Sequence, residues 1–405
     1  MTTAAHDDRD LRALRATGIG ALPPADDRLF PRNTPGGVRL FWAKYWLWFF
    51  ALLPWMMLRQ LFISGHQLLG TLWTWNRELS FYGGALRIAF MANPLSLLLT
   101  TVFGERFTAI AYRDTLIDPG PLFARKRLLR FLARHGGDVR TIVATHAHEE
   151  HVGNAALASE NTDAPVYGTE VTLDAIRNPE RLTLPRRVFI GQPEPAKSLD
   201  LRTLGRQLVT PAGALEVIES PGHCEGHASL FDPGRGVLFA GDSFLHTVFT
   251  SPNRDVSAAD WAETLERYGE WDIRTMVGTH GYVYSRDPSL RRRLFITKRA
   301  DPNEMILAKL AFLRWAMIVV AEGERRGLGY SVIEACLFPW QRWWAWQTWF
   351  RDESGRLFSG GEFSRTYFIR SLSSHPERVP PRFPPFVRVM MWLSRTFGRW
   401  RSRSN

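Results

Sequence analysis

The segment TIVATHAHEEHVGN, residues 141–154, constrains this chain more than any other part of its 405 residues. It places His146, His148 and His151 within six positions, with Glu149 and Glu150 between them. An apolar run precedes the histidines and a helical pattern, HVGNAALASE, follows them. The segment therefore predicts a strand, a loop and a helix. His146 and His148 are expected to point the same way, because they lie two residues apart in extended chain.

Two imidazoles on one side of an extended segment can share a metal ion. Glu150 and His151 open the predicted helix, where the helix dipole favours a carboxylate. Imidazole together with carboxylate suits zinc, and also iron or manganese. A His-x-His pair also occurs by chance, so this segment alone leaves a structural or surface role open.

Three further segments place histidine or aspartate at the ends of β-type runs. SPGHCEGHASL contains His223 and His227, VLFAGDSF contains Asp242, and MVGTHGYVY contains His280. We expect these side chains to face the first cluster, because loops at strand ends carry most reactive groups. Together the segments predict a binuclear metal site, in which two ions lie about 3.5–4 Å apart.

In order and spacing, HAHEEH, PGHCEGH, AGD and GTHG resemble the metallo-β-lactamase superfamily. The family pattern is His-x-His-x-Asp-His, then Pro-Gly-His, then Gly-Asp after a strand, then a late Gly-His or His-Gly. The upstream TLIDPG, with Asp118, resembles the aspartate of the family's first hairpin. The resemblance covers about residues 105–290. It implies an α/β fold, a four-layer αββα sandwich with two metal ions at its edge.

The resemblance also implies metal ligands at seven positions, which are His146, His148, Glu150, His151, His223, Asp242 and His280. Of these, Glu150, His151 and His280 would hold the second ion, Asp242 would bridge both ions, and the remaining three would hold the first. A water between the ions would lose a proton near neutral pH and act as the nucleophile. We therefore expect zinc-dependent hydrolysis of an ester, thioester, amide or phosphoester. Glu150 and Asp242 are expected to take part in catalysis as well as in metal binding.

Position 150 departs from the family pattern, because glutamate stands where aspartate is usual. The extra methylene displaces the carboxylate by roughly an ångström, and misplacement on that scale is costly near reacting groups. Three outcomes stay open: a weaker or shifted second ion, a preference for another metal, or a backbone that has adjusted to glutamate. The departure concerns the second ion and leaves the first unaffected.

Three side chains beside these motifs are expected to have lesser roles. His227 is interpreted as a residue that supports or packs against the ligands. His246 follows GDSF and is interpreted as a loop histidine, with contact to substrate as the alternative. Cys224 stands where many family members carry threonine, and we expect it to be a small buried side chain.

The segments on either side of the predicted sandwich have a different composition. Residues 1–37 are polar, charged and rich in Pro and Gly, which predicts a loosely ordered arm. Residues 38–104 are predicted to form an apolar, aromatic helical segment. Its runs 40–62 and 88–103 each contain a proline, and neither offers the roughly 20 apolar residues of a clean transmembrane helix. Residues 291–405 are predicted to be helical and to end in a basic aromatic tail.

Tryptophan and arginine set these flanks apart. Of the 16 tryptophans only Trp261 and Trp271 lie within 105–290, and the formal net charge of the chain is +11. Two interpretations stay open: a helical cap on the sandwich, or an interfacial membrane anchor. The basic segment FVRVMMWLSRTFGRWRSR is the expected anchor. Nucleic acid is a poorer partner, because the aromatic residues lie in long apolar runs, unlike exposed stacking platforms.

The sequence thus predicts a metal-dependent hydrolase that acts on a small-molecule or lipid-like substrate. Two cysteines cannot build a disulfide framework, and the N-terminus lacks the apolar core of a signal peptide. We therefore expect a cytoplasmic protein that associates peripherally with the inner membrane. An iron-dependent oxidoreductase and a non-catalytic lipid-binding member of the same fold are the alternatives. Metal identity distinguishes the first of these, and turnover on an ester panel distinguishes the second.

Overall fold

The computed structural model describes residues 8–17, 19–75, 77–92, 106–196, 198–248, 250–287, 290, 297–298 and 300–379. Its centre is a pair of seven-stranded sheets. The first sheet follows chain order, with strands β1 (Glu78–Phe81), β2 (Leu86–Phe90), β3 (Thr108–Tyr112), β4 (Thr115–Ile117), β5 (Thr141–Val143), β6 (Val166–Gly168) and β7 (Leu201–Thr203). Neighbouring strands are antiparallel from β1 to β4 and parallel from β4 to β7.

The second sheet also keeps chain order. Its strands are β8 (Gln207–Thr210), β9 (Gly213–Glu219), β10 (Ala228–Asp232), β11 (Val237–Gly241), β12 (Thr275–Gly278), β13 (Val283–Ser285) and β14 (Thr297–Lys298). The pairs β11–β12 and β13–β14 are parallel, and the other neighbours are antiparallel. The parallel pairs bring the carboxyl ends of successive strands to one edge of the sheet.

Helices cover the outer faces of both sheets. The α-helices of the described residues are α1 (Asp8–Ala16), α2 (Pro35–Thr74), α3 (Arg125–His135), α4 (Glu149–Val152), α5 (Ala155–Thr162), α6 (Glu170–Arg177), α7 (Leu184–Phe189), α8 (Ala258–Tyr268), α9 (Pro302–Arg325), α10 (Tyr330–Leu337), α11 (Trp343–Phe358) and α12 (Arg365–Leu372). Helices α3, α5 and α6 pack on the first sheet. Helices α8, α9, α10 and α12 pack on the second.

The strands at the centre are buried on both faces, which explains why their sequences are almost continuously apolar. Every residue of β3, β10 and β11 is buried. Between the sheets, Ile110 and Val143 of the first sheet share a core with Leu230, Phe239 and Val277 of the second. The four layers confirm the αββα sandwich that the sequence predicts.

The sandwich begins earlier in the chain than the predicted boundary at 105. Strand β2 pairs with β3 along its whole length, from Leu86 opposite Tyr112 to Phe90 opposite Thr108. Residues 78–90 are therefore part of the first sheet and not of a helical segment. The apolar run 88–103 starts in β2, and its part from residue 93 onward lies outside the described residues.

The prediction of a loosely ordered arm over residues 1–37 is wrong for the part that the structure describes. Ala13 and Leu14 of α1 are 2% and 0% exposed, and they join the core beneath α9. Trp315 of α9 donates from Nε1 to the carbonyl oxygen of Pro23 at 2.7 Å. The arm is polar on average, but its few apolar side chains are spaced so that a helix can bury them together.

Helix α2 is much longer than its uninterrupted apolar run. It covers 40 residues, contains Pro54, and begins where Thr34 Oγ1 accepts from the backbone of Gly37 at 3.1 Å. It is the one helix of the described residues that is long and apolar enough to cross a membrane, and 11% of its most apolar window is buried. The apolar run at residues 40–62 therefore lies within a longer helix, and the prediction that it is not a clean transmembrane helix stays a prediction. The helix continues past Arg59, whose guanidinium lies 4.9 Å from the ring centroid of Trp343.

The C-terminal flank packs against the sandwich as far as residue 379. Phe368 and Ile369 of α12 lie in the same core as Leu265 of α8. Trp346 of α11 packs with Met56 of α2 in a smaller aromatic cluster. The predicted basic aromatic tail, residues 386–405, lies outside the described residues.

Candidate metal centre

The sequence-predicted site residues meet at one edge of the sandwich, in loops that follow strands. His146 and His148 follow β5, His223 follows β9, Asp242 follows β11, and His280 follows β12. Strands β5, β11 and β12 explain much of this arrangement, because each of them is buried up to its last residue and its loop begins directly at the edge. The structure thus brings together side chains that lie up to 134 positions apart between His146 and His280.

The carboxylate of Asp242 lies at the centre of this edge. Its Oδ2 is 3.1 Å from His280 Nε2, 3.4 Å from His151 Nε2, 3.5 Å from His223 Nε2 and 3.9 Å from His146 Nε2. Thr279 Oγ1 donates to the other oxygen, Oδ1, at 2.6 Å. One carboxylate oxygen therefore faces imidazoles of both predicted ion sites, as the bridging role requires.

The predicted ligands of the first ion form one compact group. His148 Nδ1 lies 3.0 Å from His146 Nε2 and 3.3 Å from His223 Nε2. Cys224 Sγ lies in the same group, in which all the ligand atoms are within 4.8 Å of one another. Burial raises the pKa of the Cys224 thiol well above its usual value, which disfavours the thiolate that a metal ligand needs. Cys224 is a small buried side chain, as the sequence predicts.

The predicted ligands of the second ion form a separate group. Ligand atoms of Glu150, His151 and His280 lie within 4.8 Å of one another. Glu150 Oε2 is buried and makes no hydrogen bond among the described residues. A buried carboxylate oxygen without a donor is costly, and a bound cation would compensate it.

Asp118 supports this second group from behind. Its Oδ1 accepts from Thr145 N at 2.8 Å and its Oδ2 accepts from Thr145 Oγ1 at 2.8 Å. Asp118 Oδ2 also lies 3.4 Å from His151 Nδ1. The aspartate therefore lies behind the imidazole of His151, whose Nε2 faces Asp242, and a carboxylate in this place is usual behind a metal-binding histidine.

Burial controls the protonation of these imidazoles. Burial is the largest cause that lowers the pKa of His146 well below its usual value, and the neighbouring His151 and His148 lower it further. Burial also lowers the pKa of His223 well below its usual value, although Asp242 opposes the change. Both imidazoles are therefore held neutral, which is the form that binds metal.

The pKa values of His151 and Asp242 shift in the directions that favour the charged forms, because the two opposite charges attract each other. Burial alone would lower the pKa of His151, but Asp242 and Asp118 raise it well above its usual value. Burial alone would raise the pKa of Asp242, but His280 and His151 hold it well below. The row from Asp118 through His151 to Asp242 thus favours a positive charge between two carboxylates. Residues of this kind fit divalent cations, and zinc, iron or manganese would suit the imidazole and carboxylate set.

His227 holds the backbone beside the bridging carboxylate. Its Nε2 accepts from the backbone N–H of Asp242 at 3.0 Å, and its Nδ1 lies 2.7 Å from Ser220 Oγ. Burial lowers the pKa of His227 to about 4, which keeps Nε2 unprotonated as an acceptor. This is the supporting role that the sequence predicts for His227.

Two glycines of the motifs are required by close approach. Gly222 has φ +128°, and a Cβ there would lie 2.3 Å from the Cα of Trp261. Gly241 has φ +53°, and a Cβ there would lie 2.5 Å from His227 Nε2. Larger residues would push Asp242 and His223 away from the centre, so the Pro-Gly-His and Gly-Asp motifs have a steric reason.

A pocket of about 820 Å³ that includes its open mouth lies over these side chains. His148, Glu150, His223, Asp242 and His280 form its floor. Its apolar wall consists of Phe107, Phe189, Ile190, Leu245 and Phe363, and its polar wall includes Arg186, Asn253, Arg351, Asp352 and Ser359. Among the described residues that line it, His246 is absent, so the loop interpretation of that histidine fits better than contact with substrate.

The sequence patterns did not identify several side chains of this wall and around the histidines. Arg186 joins the metal loop to the C-terminal flank: its Nε donates to Glu149 Oε1 at 2.7 Å, and another of its nitrogens donates to Glu362 Oε2 at 2.6 Å. On the other side, Ser251 Oγ lies 2.9 Å from His223 Nδ1 and orients that imidazole. No fixed spacing links these residues to the histidine motifs, so the sequence offered no signal for them.

The region that resembles known proteins is the one that contains the histidine motifs. Residues 113–280 match the family model described as the metallo-beta-lactamase superfamily. The chain is 30% identical over 130 residues to the hydroxyacylglutathione hydrolase of Idiomarina loihiensis, covering 32% of this chain and 41% of that protein. It is 34% identical over 129 residues to that of Thermosynechococcus vestitus, with 32% and 41% covered. The chain thus spans about two fifths of the length of these relatives.

A larger part of both proteins aligns in the comparison with YobT, an uncharacterized protein of Bacillus subtilis. The identity is 30% over 185 residues, covering 43% of this chain and 75% of YobT. Among solved structures, the metallo-beta-lactamase family protein TTHA1429 of Thermus thermophilus has a TM-score of 0.44 at 22% identity, with 66% of this chain and 93% of that chain covered. The BLEG-1 B3 metallo-beta-lactamase has a TM-score of 0.38 at 19% identity, with 49% and 93% covered.

Two sheets between helical layers, with imidazoles gathered around one carboxylate at their edge, define a metal-binding protein of the αββα class. Within that class, the chain belongs to the metallo-β-lactamase superfamily. The predictions of fold and of family are confirmed. The metal-binding roles of the individual side chains and the identity of the metal stay predictions.

Proposed function

We propose that the chain is a metal-dependent hydrolase that cleaves an ester or thioester with an apolar acyl group. The observation that carries this proposal is the position of Asp242. Its Oδ2 lies 3.1–3.9 Å from four imidazole nitrogens and directly beneath the pocket. A carboxylate in that place is suited to hold two cations beside a bound substrate.

Two ions would share the ligands that the chain offers. His146, His148 and His223 would hold one, and the group around Glu150 would hold the other, with Asp242 shared. When bound, such ions polarise the carbonyl of the substrate and lower the pKa of water to near neutral.

The chain's own residues keep this site in order before substrate arrives. Thr279 occupies one oxygen of Asp242 and His227 holds its backbone N–H, so the other oxygen stays directed toward the imidazoles. Ser251 fixes the ring of His223 in the same way. Partners of this kind fix the orientation of metal ligands, and their removal typically costs tenfold to about a hundredfold in activity or affinity.

The apolar wall of the pocket supports an acyl substrate. Phe107, Leu245 and Phe363 exclude water from one side of the site, and Phe189 and Ile190 extend the same surface. Apolar walls with a few polar groups are typical of pockets that bind organic ligands. The activity named for the hydroxyacylglutathione hydrolases, which are relatives of part of the chain, further supports thioester cleavage.

A substrate panel tests this proposal. The zinc-loaded full chain would be assayed on p-nitrophenyl acetate, butyrate and octanoate, on an acyl thioester, and on bis(p-nitrophenyl) phosphate. We expect kcat/KM to rise at least about tenfold from butyrate to octanoate, since each buried methylene contributes about 0.8 kcal/mol. Asp242→Asn should lose turnover, whereas the matched control His246→Ala, outside the pocket, should retain it.

Two results would contradict the proposal. One is no turnover of any ester or thioester by protein that carries both ions. The other is faster cleavage of the phosphodiester than of every acyl substrate.

A further inference from the structure

Helix α2 presents a long apolar face that no other described part of the chain covers. The large apolar side chains exposed on it by 45% or more are Leu40, Trp46, Leu47, Trp48, Phe50, Trp55, Met57, Leu58, Leu61, Phe62, Leu69 and Leu72. Leu47, Leu58 and Leu61 follow helical spacing and lie on one side of the helix. From Leu40 to Leu72 this face is about 48 Å long at 1.5 Å per residue.

The opposite face of α2 is held by the folded chain. Tyr45 and Phe49 have ring centroids 5.3 and 5.0 Å from that of Trp340, and Met56 is buried beside them. At the start of the helix Val38 packs on the core beneath α9, and near its end Trp73 packs on the core between the sheets. The helix is therefore fastened to one folded body at its beginning, middle and end.

Because α2 contacts the folded body at three places, these contacts limit how a bilayer could cover its exposed face. The full helix is about 60 Å long, twice the roughly 30 Å of a hydrocarbon core. A helix that crossed the bilayer would have to leave the folded body at one end at least. A helix that lies in the plane of one leaflet keeps every contact of its inner face and buries its outer face in lipid.

The charges of α2 indicate which lipid surface fits. The helix contains no Asp or Glu, and its exposed cations Arg39 and Lys44 lie near its beginning, among the first exposed apolar side chains. Each cation near an anionic leaflet strengthens binding, and Trp46 and Trp48 belong to the residue type that favours the headgroup region. A second copy of the chain would offer no carboxylate on α2 to pair with these cations.

We propose that α2 attaches the chain to an anionic phospholipid surface, with its outer face lying in the boundary between headgroups and acyl chains. This attachment is separate from the hydrolase site and does not depend on turnover. It differs from the anchor expected from the sequence, the basic tail at residues 386–405.

Co-sedimentation of the full chain with vesicles tests the attachment. Phosphatidylcholine vesicles that contain phosphatidylglycerol are compared with vesicles of phosphatidylcholine alone. Leu47→Glu with Leu58→Glu should weaken binding to the anionic vesicles about a hundredfold, because two charges replace apolar side chains at the lipid contact. Both positions are more than half exposed, so the far-UV spectrum and the melting temperature should not change.

The matched control is Val209→Glu on β8. Val209 is 75% exposed and apolar, and it lies on a strand of the second sheet and not on α2. It should bind vesicles like the parent. Parent-like binding by the Leu47 and Leu58 variant would overturn the proposal in favour of another surface, such as the tail. Failure of the parent to bind vesicles, with a dimer that the same variant abolishes, would assign the face to a second copy.

Labelling tests the in-plane arrangement. Gly36→Cys places a thiol in the first turn of α2, where a Cβ meets nothing within 4 Å. Ser80→Cys places one on β1, in the strand that follows the end of the helix. Both native cysteines are buried, so they give little background. A membrane-impermeant maleimide added outside sealed vesicles should label both variants, each made separately. Labelling of one end alone would overturn the in-plane arrangement.

Discussion

The exchange Glu150→Asp tests whether the site has adapted to its unusual ligand. Glu150 lies in α4, whose single turn is fixed by hydrogen bonds from Val152 N to His148 O at 3.1 Å and from Gly153 N to Glu149 O at 3.0 Å. The ion pair of Arg186 with Glu149 holds the same turn from the pocket side. Because the backbone is fixed in this way, it cannot advance to compensate for a shorter side chain.

The expected magnitude follows from bond lengths. Removing one methylene withdraws the carboxylate by about 1.5 Å, the length of a carbon–carbon bond. A zinc–oxygen bond is about 2.0–2.2 Å, so aspartate would stop short of an ion that glutamate reaches. We expect the metal content to fall from about two ions per chain toward one. The rate should fall about tenfold to a hundredfold, which corresponds to about 1.4–2.7 kcal/mol in activation free energy.

Elemental analysis and the ester assay, run beside the parent protein, measure both quantities. Glu150→Gln is the matched control, because it keeps the length of the side chain and removes its charge. If Glu150→Asp loses as much metal and activity as Glu150→Gln, the length of the side chain matters as much as its charge. Higher metal content together with a faster rate in Glu150→Asp would refute the adaptation and identify the glutamate as a defect.

Three further predictions address other parts of the molecule. His146→Ala and His223→Ala each remove one of three imidazoles and should abolish binding of the first ion and turnover; full metal content and full rate in either would show that the ligand assignment is wrong. Arg186→Met leaves the buried carboxylate of Glu149 unpaired and should cost about 3–5 kcal/mol in the free energy of unfolding, measured in urea. Adding Glu149→Gln should restore most of it, and a double variant as unstable as the single one would contradict the pairing. Burial raises the pKa of Cys336 to about 12, so its thiol should resist aromatic disulfides until the chain unfolds; prompt reaction of the native thiol would contradict that burial.

The floor of the site was predictable because its side chains belong to local motifs. His146 and His148 share a strand end, and Asp242 follows a buried strand directly, so short-range patterns placed them. The structure brings together all seven positions that the sequence nominated. The walls followed no such pattern: Arg186 and Phe363 reach the pocket from distant segments, and only the tertiary fold makes them neighbours.

The flanks show where average composition misleads. Residues 1–37 are polar in total, yet Leu14 and Phe30 are buried, because a few well-spaced apolar side chains suffice to dock a segment. In α2 the uninterrupted apolar run is shorter than the helix that contains it. Lys44 and Arg59 interrupt the apolar run without ending the helix, since a long cationic side chain can remain at an interface or stack on an aromatic ring.

The pocket is built from two parts of the chain that can change independently. Its floor comes from the region that matches the family model, residues 113–280, whereas Arg351, Asp352 and Phe363 of its wall lie beyond that region. Selection for a new substrate can therefore act on α11 and the residues after it without touching a single metal ligand. Two descendants of this chain could keep an identical floor and still accept different acyl groups.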